Sequence, residues 1–183
     1  MTAPQKTSKK LQAIKSQRAV YPGSFDPITH GHLDILDRAL AIFPEVVVVV
    51  AGTGHKTPLF SPEERVELIR EVTKDRPGVR VDLWPGLIME YARKHQISAV
   101  IRGLRAASDF EYEFMMASMN KNLNPEVETL FMMTSQDLYF VSSSMIKELF
   151  LYGADITPYV PPRVLKRLQG LKGLKGLQGR KKR

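Results

Sequence analysis

Apolar residues along this 183-residue chain fall into two alternating patterns. One is the short, nearly unbroken run. RAVY (18–21), EVVVVVA (45–51), VRVDLW (79–84), SAVIRGL (98–104) and ETLFMMT (128–134) have strand length and are rich in β-branched residues, which predicts five strands. The valine run shows no polar alternation, as expected of a strand buried on both faces of a parallel sheet. The other pattern has helical spacing. Residues 29–43 put Leu36, Leu40 and Phe43 on one face, with Thr29 as N-cap and Pro44 beyond the end. Residues 61–74 open with a Ser61-x-x-Glu64 capping box and Pro62 at the first helical position. Further helices are predicted around 87–95, over 108–121 behind a second box (Ser108, Glu111), and over 143–153 with Gly153 as the stop.

Strand and helix alternate five times, which implies parallel strands joined by right-handed crossovers. Five repeats are too few to close an eightfold barrel. The predicted fold is therefore a Rossmann-like, open, parallel five-stranded sheet with helices on both faces, in one α/β domain over 18–168. Such sheets bind ligands outside the carboxyl ends of their strands.

Charge changes the picture at the ends only. The formal net charge of +8 suggests nucleic acid at first reading. Residues 1–18 and 163–183 together carry fourteen cations and no acid, which leaves 19–162 at −6. We read 1–17 and 169–183 as basic tails, solvated rather than nucleic-acid binding, because no aromatic residues interleave with the cations. Glycine at every third position of LKGLKGLQG (171–179) opposes a stable helix, so this end is expected to fray. The absence of cysteine excludes disulfides and thiolate metal sites and suits the cytoplasm. No apolar run has the length of a membrane span.

The carboxyl-end rule gathers one set of residues. Ser24 and Phe25 follow the first strand, and Lys56 follows the second. Arg102 and Arg105 end the fourth, and Ser142, Ser143 and Ser144 open the helix after the fifth. Cations, hydroxyls and helix N-termini all favour anions, so the rim predicts a polyphosphate ligand. Each group also has a plainer role: the arginines as partners of Asp109 and Glu113, Lys56 as a solvated loop residue, the serines as helix caps. Residues two apart on a helix do not face each other, so His30 and His32 are not a metal clip. Either both are exposed first-turn residues, or one donates to an anion that Gly31 lets approach.

Three colinear stretches, YPGSFDPITHGH (21–32), IRGLRAASDFEYEF (101–114) and FVSSSMIKE (140–148), resemble the motifs of the phosphopantetheine adenylyltransferases. These are nucleotidyltransferases with an [H/T]-x-G-H signature, here Thr29-His30-Gly31-His32. The similarity runs from about 18 to 168. It implies transfer of the adenylyl group of ATP to 4′-phosphopantetheine by direct in-line attack, with Mg²⁺ carried on the nucleotide phosphates and a homohexameric assembly. By position, the resemblance assigns transition-state stabilisation to His32 and the reacting centre to Lys56 and Arg102. It assigns the substrate to Ser24, Lys56, Ile88 and Arg102. The nucleotide falls to Ser24, Phe25, His32, Gly103, Leu104, Arg105, Glu113 and the run Leu138, Tyr139, Phe140, Val141, Ser142, Ser143 and Ser144. Lys147 stands where other superfamily members often carry arginine.

Overall fold

The computed structural model describes residues 18–52, 58–105 and 107–180. The tail 1–17, Lys56 and residues 181–183 lie outside the described residues. Five strands, β1 (Ala19–Gly23), β2 (Val46–Ala51), β3 (Val79–Trp84), β4 (Ala99–Leu104) and β5 (Glu128–Met133), form one all-parallel sheet in the order β3-β2-β1-β4-β5. The order reverses between β1 and β4, the topological switch point of a doubly wound sheet.

The valine run behaves as its composition requires. All of Val46 to Val50 are buried, and the pleat divides them between two cores. Val46, Val48 and Val50 join the larger core, with Leu36, Ile69, Ile146 and Leu168 from the helices α1 (His30–Leu40), α2 (Pro62–Thr73), α5 (Ser143–Leu151) and α6 (Pro162–Arg180). Val47 and Val49 face a smaller core with Val20, Val100, Val127 and, from α3 (Ile88–Lys94), Met89 and Ala92. Helix α4 (Ala107–Leu123) lies beside α3: Arg93 donates to the Leu123 carbonyl (2.8 Å). Helices therefore cover both faces, as a parallel sheet demands.

Local signals set the boundaries. Ser61 and Glu64 make the reciprocal capping box at the start of α2, with Glu64 N–H on Ser61 Oγ (3.2 Å) and Ser61 N–H on Glu64 Oε2 (2.8 Å). Helix α5 ends in a Schellman motif: Gly153, at φ 81°, donates to Phe150, and Ala154 donates to Leu149. One expectation fails. Helix α4 begins at Ala107, so Ser108 is inside its first turn and not its cap. Helix α6 runs from Pro162 to Arg180, through the glycine-rich stretch read from sequence as a fraying tail. Pro162 is pre-set for a first helical position, and Val164 and Leu168 are fully buried. Once that packed part nucleates the helix, each added turn needs only propagation, which tolerates a poor composition. Among the described residues no helix is long and apolar enough to cross a membrane.

Gly78, between α2 and β3, sits at φ +87°, and a Cβ there would come within 2.5 Å of the Pro44 carbonyl oxygen. Gly78→Ala combines a left-handed backbone penalty of about 1–2 kcal/mol with a clash against backbone. It should lower the urea midpoint clearly at unchanged m-value; an unchanged midpoint contradicts this account.

Candidate active site

Strands β1 and β4 pair only through Ala19–Ala99 and Val20–Val100, whereas β1 and β2 pair along five residues. Beyond Val20 the two central strands separate, and the gap opens the crevice at their carboxyl ends. Arg102 spans it. Its Nη1 donates to the Pro22 carbonyl on β1 (3.1 Å), while Nε and Nη2 grip Glu113 of α4 (2.7 and 2.5 Å). Burial disfavours the guanidinium charge, but the hydrogen bonds and charge of Glu113 more than offset that and raise its pKa. Three of the five N–H donors of Arg102 are engaged this way, leaving two for a ligand.

Two cavities meet along this wall. The first, of about 270 Å³, is lined by the turn Gly23, Ser24 and Phe25, by Gly31 and His32, by Arg102, Gly103, Arg105 and Glu113, and by Val141 to Ser144. The second, of about 430 Å³, is more apolar. Ile88, Met89, Tyr112, Met116 and Asn120 line it, and Ser24, Arg102 and Glu113 face both.

His32 is fixed by the cap of α1. Its Nδ1 accepts the Thr29 main-chain N–H (3.0 Å), with the Thr29 hydroxyl 2.9 Å away. This is the geometry of a capping box with histidine in the place usually held by glutamate. A main-chain N–H only donates, so Nδ1 is the acceptor and the ring proton of the neutral imidazole sits on Nε2. Desolvation, helped by the Arg105 charge, pushes the pKa down to about 4. Phe25 meets the ring edge-on (centroids 5.1 Å apart). Phe25 itself is buried at φ 46°, an unusual backbone state for a bulky residue. Its ring thus supports His32 while its backbone turns past the cavity. His30 is half-buried, not an exposed first-turn residue; burial lowers its pKa and the Val160 backbone accepts its hydrogen bond. Gly31 has space for a methyl, with no neighbour nearer than 3.7 Å to where a Cβ would sit. What its hydrogen leaves open is the cavity side.

The structure brings Ser24, Arg102, Arg105 and the three serines together, lining one cavity or both. The plainer readings hold as well: Arg105 pairs with Asp109 (3.1 Å) and Ser142 caps α5 through Met145 N–H (3.1 Å). Ile88 lines the second cavity. Leu104 is buried instead, and its carbonyl takes the Thr134 N–H (2.9 Å). Leu138, Tyr139 and Phe140 lie on or after a single 3₁₀ turn outside the first cavity's lining, and Phe140 packs edge-on against Tyr159. Sequence reasoning missed Tyr21, Ile35 and Thr134 in the first cavity, and Tyr112, Met116 and Asn120 in the second. Thr134 follows the last residue of β5, where the carboxyl-end rule could have found it; Tyr112, Met116 and Asn120 recur at four-residue spacing on α4. Among the described residues no cluster of three or more His, Asp or Glu side chains could hold a metal.

The crevice lies at the switch point of a doubly wound sheet, and the cytidylyltransferase-like family model, which fits the nucleotidyltransferase superfamily, matches residues 20–149. Curated relatives narrow the class. Phosphopantetheine adenylyltransferases of Caldanaerobacter subterraneus subsp. tengcongensis and Thiobacillus denitrificans are each 53% identical over 150 residues, covering 82% of this chain and 94% of theirs. That of Heliobacterium modesticaldum is 55% identical over 150 residues, 82% of this chain and 89% of its own. The chain belongs to the phosphopantetheine adenylyltransferase family.

The capped imidazole makes a spectroscopic prediction. At pH 7 the ¹⁵N spectrum of His32 should show a protonated Nε2 and a bare Nδ1, with charging only near pH 4. Because the folded pKa lies below the unfolded value of 6.5, the unfolded state binds the proton more readily. Stability from this group is therefore complete above about 6.5 and is lost as pH falls toward 4. Titration of His32 near 6.5 overturns the assignment.

Proposed function

We propose that the protein transfers the adenylyl group of ATP to 4′-phosphopantetheine, releasing dephospho-coenzyme A and pyrophosphate. The observation that carries this reading is the wall shared by a polar and a more apolar cavity, with Ser24, Arg102 and Glu113 on both sides. Two substrates that exchange a phosphoryl-linked group must meet at such a boundary. The nucleotide occupies the first cavity, with its phosphates at Ser142 to Ser144 and Arg105. Gly103 and Glu113 flank it. The pantetheine arm lies in the second against Ile88 and Met89, and its phosphate reaches Arg102. Lys56 takes a share of that phosphate by resemblance alone.

The 4′-phosphate attacks the α-phosphorus directly and pyrophosphate leaves in line, with no group on the enzyme forming a bond. Catalysis then rests on positioning and on donors aimed at the charge that develops. His32 fits the donor role better than a base role: Nδ1 is already occupied by Thr29, and the pKa of about 4 keeps the ring neutral with its remaining proton on Nε2. The hydroxyls and the two guanidiniums facing the first cavity suit phosphate oxygens rather than a bare cation. Mg²⁺ held on the triphosphate would supply neutralisation of its phosphate charge, while Arg105 and Ser142 to Ser144 would hold the phosphates it travels with. The reaction belongs in the cytoplasm, and nucleic acid plays no part in it.

The reading extends to a homohexamer. Helix α4 leaves Phe114, Met115 and Met119 exposed by 56, 62 and 55%, an apolar surface that a solitary globular protein rarely leaves bare. Light scattering should give six times the 20.7 kDa chain mass; a monomer removes this part of the proposal.

With ATP, Mg²⁺ and 4′-phosphopantetheine the protein should release pyrophosphate, and release no greater than with nicotinate mononucleotide as acceptor sinks the proposal. His32→Ala should still bind ATP but lose roughly 10²–10³-fold in kcat, the usual effect of deleting one transition-state donor. His30→Ala should keep near-native turnover and lose only about 1 kcal/mol of stability with its hydrogen bond. Near-native turnover of the His32 variant refutes its role.

A further inference from the structure

Outside the lining of both cavities lies a buried carboxylate that the reaction as described does not use. Asp26 is 3% exposed. Its two oxygens accept the main-chain N–H of Leu59 (3.1 and 2.9 Å) and of Phe60 (3.0 Å), and Lys147 Nζ bonds Oδ2 at 2.8 Å. Three segments remote in sequence converge on this one group: the turn that carries Ser24 and Phe25, the approach to α2, and the second turn of α5. Neighbouring bonds run in parallel. Ser143 Oγ donates to the Pro27 carbonyl (2.8 Å), and the fully buried Arg65 of α2 donates to the Ser24 carbonyl (2.8 Å).

The geometry points to Asp26 and Lys147 as a positioning pair, which sets the distance between the Ser24–Phe25 turn and the Ser142–Ser144 helix start across the nucleotide cavity. This rests on the proposed reaction, since it is that cavity's substrate whose placement the pair controls. The cavity is walled on one side by residues 23–25 and on the other by 142–144. Lys147 lies one turn beyond Ser143 and Ser144 on α5 and reaches back to the residue after Phe25, so its bond ties the walls together from outside. A buried carboxylate with two main-chain donors and a cation is satisfied; without the cation it is a buried charge short of a partner. The walls would then relax, and small displacements of a reacting group cost rate more than affinity.

Lys147 could instead reach a nucleotide phosphate, being 25% exposed at its side chain. The two roles separate in kinetics. As half of a positioning pair, Lys147→Met should lower kcat about ten- to a hundredfold with the KM for ATP within about threefold. Lys147→Arg should restore most of the rate, because it keeps the cation. Asp26→Asn should resemble Lys147→Met, and the double variant should fall no further than the worse single one. Independent, multiplying losses overturn the pair, as does a selective rise in the KM for ATP at unchanged kcat. If Asp26→Asn does not fold, the two Lys147 variants decide the matter with hydrogen exchange on the ligand-free protein. The Leu59 and Phe60 amides should exchange at least tenfold faster in Lys147→Met than in wild type. Should wild type release no pyrophosphate, the functional reading fails separately. Exchange alone then judges the pair, and unchanged Leu59 and Phe60 protection in Lys147→Met overturns it.

Discussion

The hydrogen bond from the Thr29 main chain to His32 Nδ1 joins folding to chemistry. A helix start has N–H groups without partners, and α1 answers one of them with an imidazole. The same bond fixes the ring's orientation and tautomer with no further group required. Everything around it reinforces that choice. Phe25 closes one edge of the ring, the Arg105 charge opposes protonation, and the cap places the ring at the end of β1 where the sheet reverses. A glutamate at residue 32 would complete the same cap. It would bring a negative charge to a cavity that Arg102 and Arg105 line, so the cap alone does not explain the histidine.

The second constraint is the short ladder between β1 and β4. Parallel strands that stay paired leave no crevice, and here pairing stops after two residues. The freed backbone must still find partners, and Arg102 supplies one by donating to the Pro22 carbonyl. The residue that fills the gap is thereby held where both cavities touch. Its pairing with Glu113 is what the plainer sequence reading foresaw, and it does not compete with a binding role. A guanidinium held by a carboxylate and a carbonyl is pre-oriented, so a ligand need not bear the entropy of ordering it.

Most of the fold was legible because its signals are local. The unalternating valines of β2, the Ser61–Glu64 box and Gly153 each state their structure within a few residues, and the structure agrees at all three. What was missed depended on tertiary context. Glycine content argued against a helix at 171–179, but α6 is already packed through Val164 and Leu168 before that stretch begins. The Ser108 box was overridden because α4 starts one residue earlier. For the site, the carboxyl-end rule reached the arginines and hydroxyls that line the first cavity, since topology alone puts them on one rim. It could not tell that Leu104 turns inward. Nor could it separate His30 from His32, because the distinction is one hydrogen bond to Thr29, which spacing does not encode.

Helix α4 shows why the second cavity was hard to see in advance. Its apolar residues do not form one stripe. Tyr112, Met116 and Asn120 line a cavity, Phe114, Met115 and Met119 face outward, and its one well-buried charged residue, Glu113, is engaged by Arg102. A helix that lines a cavity and also presents apolar side chains to an exposed surface has no polar face to orient it. Such a sequence reads as ambiguous by periodicity. The ambiguity is resolved by the Arg102–Glu113 pair, which sets the rotation of α4 about its axis. With Glu113 turned to β4, residues 112 and 116 face the open second cavity and residues 115 and 119 lie outside its lining, all four remaining exposed. One ion pair thus fixes the wall between the two cavities and also which apolar side chains remain for another surface to cover.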